Sequence, residues 1–379
     1  MTNEPESAPG PSERDSATSE GERDRATSEG ERDSATGGPK VVAVVLNWNG
    51  TTDTVACVRS LNLLAHPGLK IVVVDNGSRT PPDAALREAG LDAAVVATGV
   101  NLGYAGGNNV GIRWAEERGA DFIWILNNDA EVEAGALAPL LDAARRHPRA
   151  GAFGSRVLRG DDPSRIWVAW GTVTWRQSLI ALAGENESDG PRFDDEREVE
   201  WIPGCALLLR AAAVNEVGAF DEEFFAYHED VDWAARARAH GWSSRYVPAS
   251  RVVHHIHGSS GGAAHYGGFR KYLSARNTIL YARRHGNWGQ TLFLAMSIVA
   301  TFPLQLLRRA LSGQAAGVWI KQRGWRDALA GRPIPFVELG LRDAGANSKH
   351  AGADPKRADA KPKPAGTQPK PAEAKPKSR

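Results

Sequence analysis

The sequence predicts an α/β fold, a mostly parallel sheet flanked by helices, on three observations. Short β-branched, apolar runs alternate with segments of helical spacing. Each run is apolar throughout instead of alternating with polar residues. Segments rich in Asn, Asp and Gly follow directly on the runs. Strands alternating with helices indicate parallel pairing, and unbroken apolarity indicates a sheet covered on both faces. In such sheets the crevice beyond the carboxyl ends of the strands is where ligands bind.

The elements follow in order. Val41 to Leu46 is a β-branched run of strand length ending at Asn47-Trp-Asn-Gly50, and Thr51 to Leu64 has helical spacing. Lys70 to Asp75 repeats the pattern and ends in Asp75-Asn-Gly-Ser78. Ala93 to Thr98 is a shorter strand, followed by a Gly-rich loop and a helix from about Asn108 to Arg118. Phe122 to Leu126 is the fourth strand, and Ala134 to Arg146 the next helix. The alternation then fades. Residues 159 to 200 read as loop with mixed strand tendency around Trp167, Trp170 and Trp175, which are expected to be exposed or half-buried. A strand at Trp201 to Arg210, a short helix at Ala211 to Val217, a helix at Glu229 to His240 stopped by Gly241, a strand at Arg251 to Ile256 and a helix at Phe269 to His285 complete this part.

Four regions are expected. Residues 1–38 contain a polar nine-residue repeat beginning Glu-Arg-Asp, which cannot bury enough surface to offset its ordering entropy. Residues 39–285 form the main domain, with a nucleotide-binding half at 39–150 and an acceptor-binding half at 151–285. Residues 286–345 form a helical extension, and 346–379 a disordered Lys/Pro/Ala-rich tail. The overall charge of +1 hides an asymmetry: residues 1–36 hold ten acids against four arginines, net −6, and residues 348–379 hold nine Lys/Arg against three acids, net +6. The basic tail could touch anionic lipid or keep the chain soluble. Only Cys57 and Cys205 occur, far apart, so neither a disulfide scaffold nor a zinc cluster is expected. The polar, acidic N-terminus shows no secretory signal, and a reducing cytosol is the expected setting. From Asn287 to Leu307 no charged residue occurs, and Leu292 to Ala300 is strongly apolar before Arg308 and Arg309. With Pro303 interrupting it, this stretch suits a helix lying in the membrane interface, a packing helix or a short span.

Chemistry concentrates in the segments after strands. Trp124-Ile-Leu-Asn-Asn-Asp-Ala-Glu-Val132 ends an apolar run in Asp129 and Glu131, two carboxylates one residue apart. This is either a turn or the anchor of a hard cation completed by substrate phosphates. Asp75 could accept a hydrogen bond from a base or ribose, or cap a turn. The run Asn101 to Gly111 could bring backbone N–H groups to an anion, although its glycine order is not a dinucleotide fingerprint and it lacks the Lys of a phosphate loop. Glu229, Asp230 and Asp232 stand beside Tyr227 and His228 at a helix start. They are dipole-favouring decoration or a general-base site. His254, His255 and His257 could supply a metal ligand.

The succession Val44 to Asn49, Val74 to Ser78, Asn101 to Asn108, Leu126 to Glu131, Gly204 to Arg210, Phe220 to Phe225, Glu229 to Asp232, His254 to Ser260 and Arg276-Asn277 resembles the family 2 glycosyltransferases of GT-A fold. It is most similar to rhamnosyltransferase-like and galactofuranosyltransferase-like members, over about residues 41 to 285. The resemblance implies that Asp75 recognises the nucleoside, and that Asn47, Asn101, Gly103, Asn108, Asn128 and Asp129 shape the nucleotide-sugar pocket. It implies that Asp129, Glu131 and His254 hold Mg²⁺ or Mn²⁺, with Glu131 in place of a second Asp. Asp230 is implied as catalytic base with Glu229 beside it. Trp201, Gly204, Tyr227 and Asp232 are implied to face the acceptor, and Ser259 and Ser260 to lie near the diphosphate.

The expected activity is metal-dependent, inverting transfer of a sugar from a nucleoside diphosphate donor to a lipid-linked or cell-wall polysaccharide acceptor. The expected location is the inner face of the cell membrane, with peripheral membrane contact and no nucleic-acid partner. Rhamnose is the first expectation for the sugar, galactofuranose the second. A nucleotidyltransferase would share sheet and metal but would need a basic residue for a triphosphate. A silent carbohydrate-binding or scaffolding protein would use the tryptophans of 167 to 201 as a sugar platform.

Overall fold

In a computed structural model the described residues are 38–255, 268–311 and 316–342. The tails expected to be disordered, together with His257, Ser259 and Ser260, lie outside the described residues. One ten-stranded sheet organises the chain. Its parallel part is β3 (Ala94–Ala97), β2 (Leu69–Asp75), β1 (Val41–Asn47) and β4 (Phe122–Asn127), side by side in that order. β11 (Ala206–Arg210) then runs antiparallel to β4 and to β6 (Ala150–Arg159), and β12 (Ser243–His254) returns parallel to β6. The sheet is therefore mixed, and residues from both expected halves share it. Short β5 (Ala130–Val132) pairs antiparallel with the end of β12, His254 opposite Ala130.

Alternate side chains of the central strands enter two cores. Val41, Ala43, Val45, Trp124 and Leu126 meet α1 (Thr51–Asn62), through Cys57, Val58 and Leu61, and α4 (Leu137–Arg146), through Leu137 and Leu140. Val42, Val44, Ile123 and Ile125 meet α3 (Gly103–Glu116) through Ala105 and Ile112. On that face also lie α5 (Ala211–Val217) and α6 (Glu229–Ala239), through Val214 and Trp233. The short α2 (Asp83–Glu88) adds Leu86 to the first core. Burial on both faces is why these strands are apolar at every position.

Strand β6 was not expected, β12 begins at Ser243 and not at Arg251, and three further segments differ from the expectation. The Gly-rich run is not a loop before a helix but the first turns of α3, which starts at Gly103. The helix lies so close to the sheet that a Cβ at Gly107 would stand 2.4 Å from Leu46 Cδ1, and one at Gly111 2.2 Å from Val44 Cγ1. Glycine here serves packing, against its poor helix propensity. The strand expected from Trp201 begins only at Ala206, because Trp201 itself bridges Gly171 before a turn. Residues 159 to 200 hold β7 (Ile166–Val168), the hairpin β8 (Trp170–Val173) and β9 (Ile180–Ala183), and β10 (Arg197–Val199). Their strands are three or four residues long, too short to show a period.

Beyond the sheet, α7 (Phe269–His285) packs along α9 (Ala316–Leu329), where a Cβ at Gly324 would meet the Tyr272 carbonyl at 2.4 Å. Between them in sequence, α8 (Trp288–Leu311) is long and apolar enough to cross a membrane by length and composition, and only 6% of its most apolar window is buried.

Candidate functional site

The carboxyl ends of β1, β2 and β4 lie side by side, with Asn47 opposite Asp75 in register. Asn47 donates from Nδ2 to Asp75 Oδ1 at 3.0 Å and to Ser78 Oγ at 3.1 Å, while its Oδ1 accepts from Thr54 Oγ1 at 2.9 Å. It thus ties two strand ends to the start of α1. Asn76, which the sequence reading passed over, donates to Asn101 Oδ1 at 3.1 Å and to the Gly103 carbonyl at 2.9 Å, and accepts from Leu102 N at 2.9 Å. Asn101 in turn accepts from Gly103 N at 2.8 Å. Gly103 has φ +79°, and a Cβ there would sit 2.3 Å from the Phe225 carbonyl oxygen. It is therefore the point where α3 meets the loop carrying Tyr227 to Asp230. Asn108 is buried within α3, its Nδ2 on the Tyr104 carbonyl at 2.9 Å and its Oδ1 without a partner.

At the end of β4, Asn128 donates to the Gly50 carbonyl at 3.1 Å. Asp129 is 5% exposed, with Oδ1 3.2 Å from His254 Nε2. The β5–β12 pairing brings these two together across 125 residues of chain. The same Nε2 is 3.1 Å from Asn127 Nδ2, while Nδ1 is buried without a partner. A neutral imidazole nitrogen satisfies either the amide donor or the carboxylate acceptor, not both. The ring's bonding is thus incomplete as it stands. Trp167 stacks on it at 5.5 Å between centroids and 5° between planes, a contact no local pattern announces. Glu131 instead meets His255, Oε1 to Nε2 at 3.0 Å. Among the described residues no group of three or more His, Cys, Asp or Glu side chains is arranged to hold a metal ion. The protein donors that come together are therefore two, Asp129 and His254. Their 3.2 Å spacing is close to the ~3 Å edge of an octahedral shell around a small divalent cation, which keeps water and phosphate in its other positions.

Asp230 opens α6. Its Oδ2 accepts from Gly204 N at 2.9 Å and its Oδ1 from Val231 N at 2.8 Å. Burial pushes its carboxyl up to about 6, against the pull of these amide donors. Glu229 is buried with Oε2 unpartnered, and burial followed by the Asp230 charge holds it well above the usual carboxylate range. Neighbouring His228 is buried and pushed down to about 4 by desolvation, so it is neutral near pH 7. The turn before α6 is unusual: Phe225, Tyr227 and His228 have φ of +61°, +73° and +73°. Such left-handed conformations in non-glycine residues persist only where surroundings enforce them. The enforcer is Asn277 of α7, whose Nδ2 donates to the carbonyls of Phe224, Ala226 and Tyr227 at 2.8, 2.8 and 2.7 Å. Tyr104 of α3 completes the support, donating to the Gly204 carbonyl at 2.7 Å.

The residues expected on the acceptor side divide. Gly204 donates its amide to Asp230, and Tyr227, in the turn before α6, is partly exposed. Trp201 is buried against Gly171 instead, where a Cβ would meet its ring at 1.9 Å. Asp232 is 1% exposed and bonded to Arg236 Nε and His285 Nε2, both at 2.8 Å. Burial alone would raise its carboxyl, but these bonds outweigh it and hold the group below the usual range. Its place is that of a buried ion pair. The two acidic centres share a neighbour: the Cys205 thiol is pushed up to about 12 by burial and then by the charges of both Asp230 and Asp129. Both carboxylates therefore lie close enough to Cys205 for their charges to act on its thiol.

Comparison with known proteins bears on the family and the fold. Residues 43–214 match the family described as Glycosyl transferase family 2, and residues 164–323 match Glycosyl transferase family group 2. The N-acetylglucosaminyl-diphospho-decaprenol L-rhamnosyltransferase of Mycobacterium tuberculosis is 33% identical over 251 residues, which cover 60% of this chain and 80% of that protein. A low-salt glycan biosynthesis hexosyltransferase of Haloferax volcanii is 26% identical, over 62% of this chain and 73% of its own. The structure of S. aureus TarS 1-349 in complex with UDP-GlcNAc superposes with a TM-score of 0.50 at 15% identity, covering 77% of this chain and 80% of that one. Similarity of this extent to the rhamnosyltransferase, over a sheet of this topology, places the chain in glycosyl transferase family 2, as an enzyme of GT-A fold that draws its sugar from a nucleotide-linked donor.

Proposed function

We propose that the chain moves a sugar, rhamnose in the first instance, from a nucleoside diphosphate donor to a hydroxyl of a lipid-linked saccharide at the cytoplasmic membrane face, with inversion at the anomeric carbon. The observation that carries this reading is the pair of unlike acidic centres flanking Cys205: Asp129 beside an incompletely bonded imidazole, and Asp230 with a raised pKa. The 33% identity to a rhamnosyltransferase acting on a diphospho-decaprenol-linked sugar supports the donor and acceptor classes.

Asp129 and His254 would hold Mg²⁺ or Mn²⁺, which supplies neutralisation of charge on the departing diphosphate. Glu131, on His255, contributes charge from one step further out. Asp75 and Asn101, at the ends held together by Asn47 and Asn76, line the nucleoside side. Asp230 accepts the acceptor hydroxyl's proton as the oxygen attacks, an effect of about 10²–10⁴-fold. Glu229, held protonated, keeps a second negative charge away from that oxygen. One base opposite the leaving group favours single displacement. The exposed apolar α8 suits contact with the bilayer in which a lipid-linked acceptor resides.

A pure sugar-binding role on a tryptophan platform has little to stand on, since Trp201 is core, Trp167 covers His254, and Trp170 packs against Phe193 and Tyr246. The test is release of nucleoside diphosphate across a panel of donor sugars, with and without Mn²⁺. Asp230→Asn should lose at least about 100-fold in transfer; undiminished transfer in that variant would remove the proposed base. Release from uridine diphosphate galactofuranose alone would replace rhamnose with the galactofuranosyl reading.

A further inference from the structure

Away from the crevice, a cavity of about 540 Å³ lies where α7, α8 and α9 meet. Lys271 of α7, Arg308 and Arg309 of α8 and Lys321 of α9 line it, with Gln305 and Gly317 between them. No acidic side chain is among the described lining residues. Elsewhere in the fold carboxylates do stand beside inward-turned arginines, Asp189 and Asp194 at Arg156 and Asp221 and Glu223 at Arg284. The nearby Asp327 is held instead by Arg323 and Arg332 and by the Tyr272 hydroxyl. Burial, then Lys271 and Arg309, lower the affinity of the Lys321 amine for its proton, as expected where like charges crowd. Gly317 gives Lys271 its room, for a Cβ there would lie 2.4 Å from Lys271 Nζ.

The outward face of α8 is apolar. Leu292, Met296, Val299, Leu307 and Leu311 recur at helical spacing along α8, exposed by 46%, 54%, 73%, 58% and 82%, and Trp288 stands at its start. Leu304 and Leu311, one turn before and after Arg308, are exposed by 58% and 82%, so the apolar face borders this lining cation. A ligand fitting both is amphipathic, with an anionic head and hydrocarbon chains.

We propose that this cavity binds the phosphate of an anionic membrane phospholipid whose acyl chains lie along the exposed face of α8. The proposal rests on the membrane-surface reading above and deepens it: α8 supplies apolar contact, and the three-helix pocket supplies headgroup selection.

Flotation of the full-length protein with vesicles of phosphatidylcholine, with and without phosphatidylglycerol, tests it. Wild type should prefer the phosphatidylglycerol vesicles. Arg308→Gln with Lys321→Gln should weaken that binding roughly ten- to thirty-fold, from about one factor of five per cation near an anionic surface. Gly317→Ala leaves net charge unchanged and favours the helix, but displaces the Lys271 ammonium, so binding should fall a few-fold. Donor hydrolysis without lipid should be unaltered in both variants, which also reports that they fold. Equal binding by wild type and the double variant at matched salt overturns the pocket while leaving membrane association standing. Failure of wild type to bind either vesicle overturns both. Stabilisation by inorganic phosphate without preference for phosphatidylglycerol marks a soluble-anion site and also overturns the proposal. Lipid binding as expected with no donor hydrolysed by any form would remove the catalytic reading and leave the pocket intact.

Discussion

As the proposed base, Asp230 has its proton affinity set by two opposing local effects, burial upward and the Gly204 and Val231 amides downward. With the carboxyl near 6, the ionised form dominates above that pH and is lost tenfold per unit below it. The kcat/KM profile for transfer should therefore be flat above about pH 7 and fall on an acid limb near 6; a limb near 4 would show that another group carries the proton. Because Glu229 adjoins Asp230, the limb belongs to the pair. Asn277→Ala should strand the Ala226 and Tyr227 carbonyls, the Phe224 carbonyl keeping the Ala226 amide, and cost about 2–4 kcal/mol in denaturant unfolding. Transfer should be lost well beyond any change in donor KM. The carboxylates of this site were legible because acids at strand and helix ends stand out in sequence. Asn277 and Asn76 stand within quoted motifs but without a role, since an amide's partners 50 or 27 residues away leave no local trace. Asp232 was misplaced for the same reason: its partner His285 comes from α7.

At the scale of elements, α3 shows how a packing demand can mimic a loop. Its glycines lower helix propensity, so a reading by composition delays the helix to Asn108; the sheet beneath it requires those glycines. Gly111→Ala should accordingly destabilise the protein despite Ala's ~1 kcal/mol advantage in helices, because overpacking against Val44 costs about 1–3 kcal/mol. A rise in Tm would show that α3 can lift off β1 freely. The apolar strands β1, β2 and β4 and helices α6 and α7 followed directly from periodicity, since both faces of each strand are covered. The Trp-rich segment did not, because β7 to β10 are stabilised by pairings such as Gly171 with Trp201 instead of by their own pattern.

Across the whole molecule, Asp129 follows strand β4 while Asp230 stands on helix α6, so the roles proposed for them should separate in binding experiments. In Mn²⁺, Asp129→Asn should weaken nucleoside diphosphate binding by tenfold or more, about 1.4 kcal/mol. Asp230→Asn should leave it within about twofold by the same titration. Equal losses in both would mean that Asp230 contacts the donor. The turn clamped by Asn277 has a further consequence in time. The strands that end at Asn47, Asp75 and Asn127 leave the ribosome well before α7, yet Phe225, Tyr227 and His228 have no reason to hold their left-handed backbone until α7 docks. The shape of this turn is thereby deferred until residue 277 has been made, and one amide side chain sets the order in which the parts of the fold take their final form.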